Sequence, residues 1–139
     1  RRMDIYKIDD KIIIDDYAHH PTEIESVLNT INSNYKNKST SVIFQPHLFS
    51  RTRDFMEDFA TVLSKFDEVY LLEIYPAREK PIEGVSSKVL LEKISSEKKE
   101  IINKELINDI IINSKTEVIS ILGAGNITEN LNKKIFTND

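Results

Sequence analysis

The chain has 139 residues, 40% hydrophobic and 30% charged, with a formal net charge of −4. That length supports one domain with its own core, and the acidic balance argues against a dedicated nucleic-acid binder. There is no cysteine, which excludes a disulfide framework and a thiolate zinc site. No apolar run reaches bilayer length, so the chain reads as cytoplasmic with no membrane partner. It opens on Arg1-Arg2 without an initiator methionine, as a piece of a longer protein would.

In chain order, Met3–Ile8 alternates weakly, as a half-buried strand does. Asp9-Asp10 offers turn chemistry, and Lys11–Asp15 returns as the second strand of a hairpin. Its three successive isoleucines suit a buried pleated surface. Pro21 disfavours helical geometry at His20. Thr22 is placed to cap a helix over Glu23–Asn34, whose Ile24, Val27, Leu28 and Ile31 share one face. Ser41–Gln45 is a short buried strand. The Arg51 region opens a helix to about Lys65, with Phe55, Phe59, Val62 and Leu63 inward. Glu68–Leu72 is the next strand. Ser86 caps a helix reaching about Ile94, and Ser95–Glu100 reads as a solvated, charge-rich connection. Glu105–Asn113 reads as a helix, although its isoleucines also permit a strand. Val118–Leu122 is the last strand, and after Gly123–Asn126 a closing helix is expected to about Phe136. Strands alternating with helices over short connections predict a single α/β, Rossmann-like three-layer domain over residues 1–139. Its sheet should be mostly parallel, of about six strands, with an N-terminal hairpin and helices on both faces.

Four polar loops follow strands, and in a parallel sheet they share the carboxyl edge, where open α/β sheets bind ligands. They carry Asp16, Tyr17, His19, His20, His47, Arg51, Arg53, Arg78 and Gly123–Gly125. His19 and His20 also read simply as exposed loop residues. As neighbours in extended chain they point to opposite sides, so no metal site is expected. Arg53 reads as a surface arginine. Arg51, at the opening of a helix, is disfavoured by the helix dipole unless an anion lies between its guanidinium and the free backbone N–H groups. Arg78 either binds an anion or pairs with Glu79. Gly-Ala-Gly is a weak match to a phosphate-binding turn and reads equally as a tight turn. There is no P-loop. Asp15, Asp16 and His19 are the raw material of an acid–base site, but nothing supplies a nucleophile.

Asp15-Asp16-Tyr17-Ala18-His19-His20-Pro21-Thr22-Glu23 resembles a signature of the UDP-N-acetylmuramate–L-alanine ligases of the Mur ligase family. So do Phe44-Gln45-Pro46-His47 with Ser50-Arg51-Thr52-Arg53-Asp54, Ile74-Tyr75-Pro76-Ala77-Arg78-Glu79, and Gly123-Ala124-Gly125-Asn126. The resemblance is to the C-terminal domain of a three-domain enzyme. It implies an amino-acid-binding and ATP-closing role in joining L-alanine to UDP-N-acetylmuramate through an acyl phosphate, with this domain inactive alone. Its implied partners are ATP, L-alanine, UDP-N-acetylmuramate and the enzyme's own N-terminal and central domains. By the family pattern Arg2, Asp16 and Tyr17 meet ATP, and Arg51, His19 and His47 meet L-alanine. Mg2+ is implied as well, with its ligands outside this chain. Many members carry arginine where this chain has Leu48, and the hairpin is short for the family. The murein tripeptide recycling ligase, a related reading, shares the first motif but lacks the second. A stand-alone nucleotide or small-molecule binding module is the reading from another class.

Overall fold

The computed structural model describes residues 1–129, 131 and 137–138. The hairpin is present: β1 (Asp4–Ile8) and β2 (Lys11–Asp16) pair antiparallel across an Asp9-Asp10 turn. Asp9 takes a positive φ of 51° there, a conformation that aspartate tolerates better than most residues. Then follow α1 (Pro21–Asn34), β3 (Thr40–Phe44), α2 (Phe49–Asp54), α3 (Met56–Leu63) and β4 (Glu68–Leu71). The second half holds α4 (Ser87–Glu92), β5 (Lys98–Ile101), a 3-10 turn at Lys104–Leu106, α5 (Ile107–Asn113), β6 (Val118–Leu122) and β7 (Thr137–Asn138). Among the described residues the sheet has seven strands in the order β5-β4-β3-β6-β2-β1-β7. The five strands β5, β4, β3, β6 and β2 run parallel.

Period-two alternation assigns side chains to the two faces of the sheet. Ile12, Ile14, Val42, Phe44, Val69, Leu71, Val118 and Leu122 face α1, α3 and α4 through Ile24, Leu28, Phe59, Leu63 and Leu90. Ile13, Ile43, Tyr70, Ile119 and Ile121 face α5 through Ile107 and Ile111. With both faces covered, β3 and β6 are buried along their whole length, as parallel central strands are. No helix among the described residues is long and apolar enough to cross a membrane.

Three sequence-based expectations change. Most of Lys98–Ile101 falls in the expected solvated connection Ser95–Glu100, yet it forms the edge strand β5 against β4. The lysines of an edge strand face water and mask the strand pattern, and Lys99 turns back to donate to the Ile94 carbonyl at 2.6 Å. The helix from the Arg51 region is two helices, broken at Phe55 (φ −118°, ψ 22°). Phe55 is consequently exposed rather than inward. α1 begins at Pro21 with His20 at its N-cap, so Thr22 lies inside the first turn and caps nothing. The mostly parallel sheet of about six strands with its N-terminal hairpin is present, and the short β7 brings the strands among the described residues to seven. Of the closing helix expected to about Phe136, most lies outside the described residues. Glu105–Asn113 resolves as the 3-10 turn and α5, and Ser86 does cap α4, accepting from the Val89 N–H at 3.1 Å.

Candidate active site at the carboxyl edge of the sheet

The loops after β2, β3, β4 and β6 meet at one edge, as the parallel arrangement requires. The loop after β2 is fixed from within. The Asp15 carboxylate is buried and accepts from Arg1 Nε at 2.8 Å. Burial pushes its carboxyl above the usual range, with Arg1 pulling it back. Asp16 accepts the Met3 N–H at 2.8 Å on Oδ2 and the Ala18 N–H at 2.7 Å on Oδ1. Each oxygen retains a second lone pair. Tyr17 is 45% exposed, and the Arg1 guanidinium stacks 5.0 Å from its ring centre.

The two histidines diverge, as neighbours in extended chain do. His19 Nδ1 lies 2.7 Å from the Tyr17 carbonyl oxygen. Facing a carbonyl oxygen, Nδ1 is the donor in that contact. Its ring centre is 6.1 Å from that of His47. His20 turns away and meets Phe55 edge-on at 5.0 Å, over an open hollow of about 350 Å³ between α1 and α3.

The loop after β3 holds the unsatisfied groups. Gln45 donates through Nε2 to the Glu73 carbonyl at 3.2 Å, while its Oε1 is buried with no partner. His47 stacks on Tyr75 with ring centres 5.2 Å apart and planes 11° from parallel. Its Nδ1 is also buried and unpartnered. Burial, then the Arg51 charge, holds this imidazole below the usual histidine range. Arg51 Nη1 is the third buried polar atom here without a partner. Buried polar atoms are normally paired, so each such orphan calls for an explanation. Arg53, in contrast, is exposed and pairs with Asp54 at 2.9 Å.

Arg51 is the third residue of a six-residue helix rather than its opening. The start of that helix is already met by a carboxylate of the protein. Glu79 accepts the Ser50 N–H at 3.0 Å and the Ser50 hydroxyl. The anion inferred at this helix terminus is therefore the protein's own carboxylate, and Glu79 faces α2 rather than pairing with Arg78. The exposed Arg78 makes no ion pair among the described residues.

The glycines after β6 read as packing positions. A Cβ on Gly123 would lie 3.2 Å from the Gln45 carbonyl oxygen, and one on Gly125 would lie 3.2 Å from Tyr75 Cδ2 and 3.3 Å from Gln45 Oε1. Arg1 ties this loop to the first: Nη1 donates to the Gly123 carbonyl at 2.6 Å and Nη2 to the Asp16 carbonyl at 3.3 Å. The exposed Arg2 instead lines a hollow of about 200 Å³ with Met3, Asp16, Glu23 and Ser26.

The structure thus brings His19, His47 and Arg51 together, and places Asp16 and Arg2 beside a separate hollow. Gln45, Tyr75, Glu79 and Arg1 were not singled out from sequence, although three of them lie within the motifs. The signal for Gln45 was its polarity at the end of an apolar strand. Nothing local marks Glu79, whose partners lie 29 residues earlier.

The chain is 53% identical over 135 residues to the UDP-N-acetylmuramate–L-alanine ligase of Christiangramia forsetii, covering 96% of this chain and 30% of that protein. Among solved structures, UDP-N-acetylmuramate–alanine ligase from Thermotoga maritima matches with a TM-score of 0.71 at 28% identity, over 93% of this chain and 27% of that one. A murein peptide ligase from Psychrobacter arcticus shares the fold, with a TM-score of 0.70 at 21% identity, over 97% of this chain and 29% of that one. The chain spans under a third of the length of these proteins. The model of the Mur ligase, glutamate ligase domain matches residues 1–125. The chain belongs to that family.

Proposed function

We propose that the chain is the amino-acid-binding, ATP-closing C-terminal domain of an ATP-dependent UDP-N-acetylmuramate–L-alanine ligase acting in the cytoplasm in peptidoglycan precursor synthesis. One observation carries this reading. Gln45 Oε1, His47 Nδ1 and Arg51 Nη1 are buried and unpartnered, on the loop whose sequence resembles the alanine ligases. A small zwitterion supplies the complementary groups, a carboxylate for Arg51 and N–H donors for the two acceptors. Guanidinium holds carboxylate with two parallel bonds. A histidine kept neutral by burial accepts an ammonium N–H without adding a second positive charge.

In the proposed reaction the muramoyl carboxylate attacks the γ-phosphorus of ATP and ADP leaves. The alanine amine, having lost a proton, then attacks the acyl carbon. The C–O bond to phosphate breaks, giving the amide and inorganic phosphate. This chain contributes the amino-acid receptor through Arg51, His19 and His47. It offers Arg2, Asp16 and Tyr17 to the nucleotide, with Arg2 exposed beside Asp16 and the Tyr17 ring accessible for stacking. Mg2+ would neutralise phosphate charge in such a reaction. Among the described residues no group of three or more His, Asp or Glu side chains is arranged to hold a metal ion. The family resemblance places its ligands in the rest of the enzyme. The high identity to alanine ligases favours this reading over the tripeptide-recycling ligase.

The test uses the full-length enzyme, with phosphate release measured on ATP, UDP-N-acetylmuramate and either L-alanine or the tripeptide. Release with L-alanine alone is expected, and release with only the tripeptide would refute the reading. Arg51→Lys loses the bidentate grip. Its Michaelis constant for L-alanine should rise roughly ten- to a hundredfold, the equivalent of about 1.5–3 kcal/mol. A rise confined to ATP would move Arg51 to the nucleotide site.

A further inference from the structure

We propose that Glu79 is a positioning residue that sets Arg51 for the amino-acid carboxylate, an inference that rests on the proposed role of Arg51. The short helix α2 carries Arg51 and lacks any cap of its own. Its N-cap is Leu48, which has no side-chain acceptor and sits at a φ of 74°. A six-residue helix does not hold itself together in water. The bonds that hold its start come from the loop after β4. Glu79 accepts from the Ser50 N–H and the Ser50 hydroxyl. The Tyr75 carbonyl accepts the Leu48 N–H at 2.8 Å, and Tyr75 N–H donates to the Pro46 carbonyl at 2.8 Å. Glu79 is itself fixed by a turn in which its N–H donates to the Pro76 carbonyl at 2.9 Å, after Ala77 at a φ of 54°. Residues 75–79 thus form a bracket that grips the chain from Pro46 to Ser50.

Arg51 follows that grip directly. Its carbonyl accepts the Phe55 N–H at 3.0 Å, where α2 ends. Its backbone therefore lies in a single turn between the Glu79 bracket and the break at Phe55. Releasing the bracket lets the turn tilt, and a guanidinium at the end of a long side chain amplifies the tilt. Two parallel bonds to a carboxylate do not survive a displacement of about 1 Å. Glu79 has a second effect. By filling the helix start with its own negative charge, it keeps a substrate carboxylate from settling on those N–H groups in place of Arg51. Its hydrogen bonds from Ser50 hold its carboxyl below the usual range, so it is ionised at neutral pH.

The test is steady-state kinetics of the full-length ligase with L-alanine and ATP varied in turn. Glu79→Ala should raise the Michaelis constant for L-alanine about tenfold, the effect of one lost charge-assisted bond. The constant for ATP should stay within about twofold, since that site is built from other loops. Glu79→Gln should recover most of the loss. Its Oε1 still accepts the backbone N–H groups, and its amide can donate to the Ser50 hydroxyl. A native L-alanine constant in Glu79→Ala, with only a lower melting temperature, overturns the proposal. Equal rises for both substrates overturn it as well. If Glu79→Ala does not fold, Glu79→Asp keeps the charge and shortens the reach by one methylene. A raised L-alanine constant then supports the proposal and a native one overturns it. Arg51→Lys, run alongside, separates the two readings. If it spares L-alanine, the receptor assignment fails. If it raises the L-alanine constant while Glu79→Ala does not, only the bracket fails.

Discussion

Gly125→Ala tests whether the glycine loop is a packing device for the site. The added Cβ would meet Tyr75 Cδ2 at 3.2 Å, Tyr75 Cγ at 3.3 Å and Gln45 Oε1 at 3.3 Å. Comfortable carbon contacts lie near about 3.5–4.0 Å, so a neighbour must move a few tenths of an ångström. The ring of Tyr75 has little freedom to do so. Its face is stacked on His47, and its backbone is bonded at both N–H and C=O. The substitution should therefore cost about 1–2 kcal/mol, toward the lower part of the overpacking range. That corresponds to roughly 3–10 °C in melting temperature for a domain of this size. Because the push passes through Tyr75 to His47, the Michaelis constant for L-alanine should rise in the full-length enzyme. Gly84→Ala is the control. Its φ is +78° but nothing lies within 4 Å of the added Cβ, so it should lose stability without touching alanine kinetics. Thermal unfolding followed by circular dichroism and substrate-varied kinetics on both variants decide the matter. A Gly125→Ala enzyme with native melting temperature and native alanine kinetics would refute the argument.

Asp16→Ala should lower stability by about 1–3 kcal/mol, because it strips acceptors from the Met3 and Ala18 N–H groups, as well as weakening ATP use. Chemical denaturation beside ATP kinetics separates the two, and unchanged denaturation would show that these bonds carry no weight. His47 sits below its usual range, so the unfolded chain takes up a proton that the folded chain refuses. Stability from this group is full above about pH 6.5 and falls as pH drops from there toward the lowered folded value. His47→Gln should flatten the melting temperature against pH in that window, and an unchanged slope would contradict the buried neutral imidazole. The isolated domain should fold yet release no phosphate from ATP, UDP-N-acetylmuramate and L-alanine, since phosphoryl transfer needs phosphate and metal ligands that the proposed function places outside this chain. A rate near that of the full enzyme would sink that expectation.

The central strands were legible in the sequence because both their faces are buried. The isoleucine run of β2, Ser41–Phe44 and Val118–Leu122 declare themselves by apolar runs in which only a serine intervenes, and their ends locate the polar loops. The face of α1 was legible by its 3.6-residue spacing, and so was the clustering of His19, His47 and Arg51 at one edge. What escaped is what pairing and long-range hydrogen bonds decide. Lys98–Ile101 is a strand because β4 offers it an edge, while its lysines and glutamate face water. The break at Phe55 is a backbone kink that a continuous run of helix-compatible residues conceals. Arg1, rather than Arg2, ties the β2 and β6 loops together, since only the fold brings the Gly123 carbonyl within 2.6 Å of its guanidinium. Glu79 caps α2 across 29 residues of chain. Local composition and periodicity encode burial, which depends on each residue and its near neighbours. The partner of a carboxylate or guanidinium depends on where distant segments arrive, and that is settled only when the sheet closes its order.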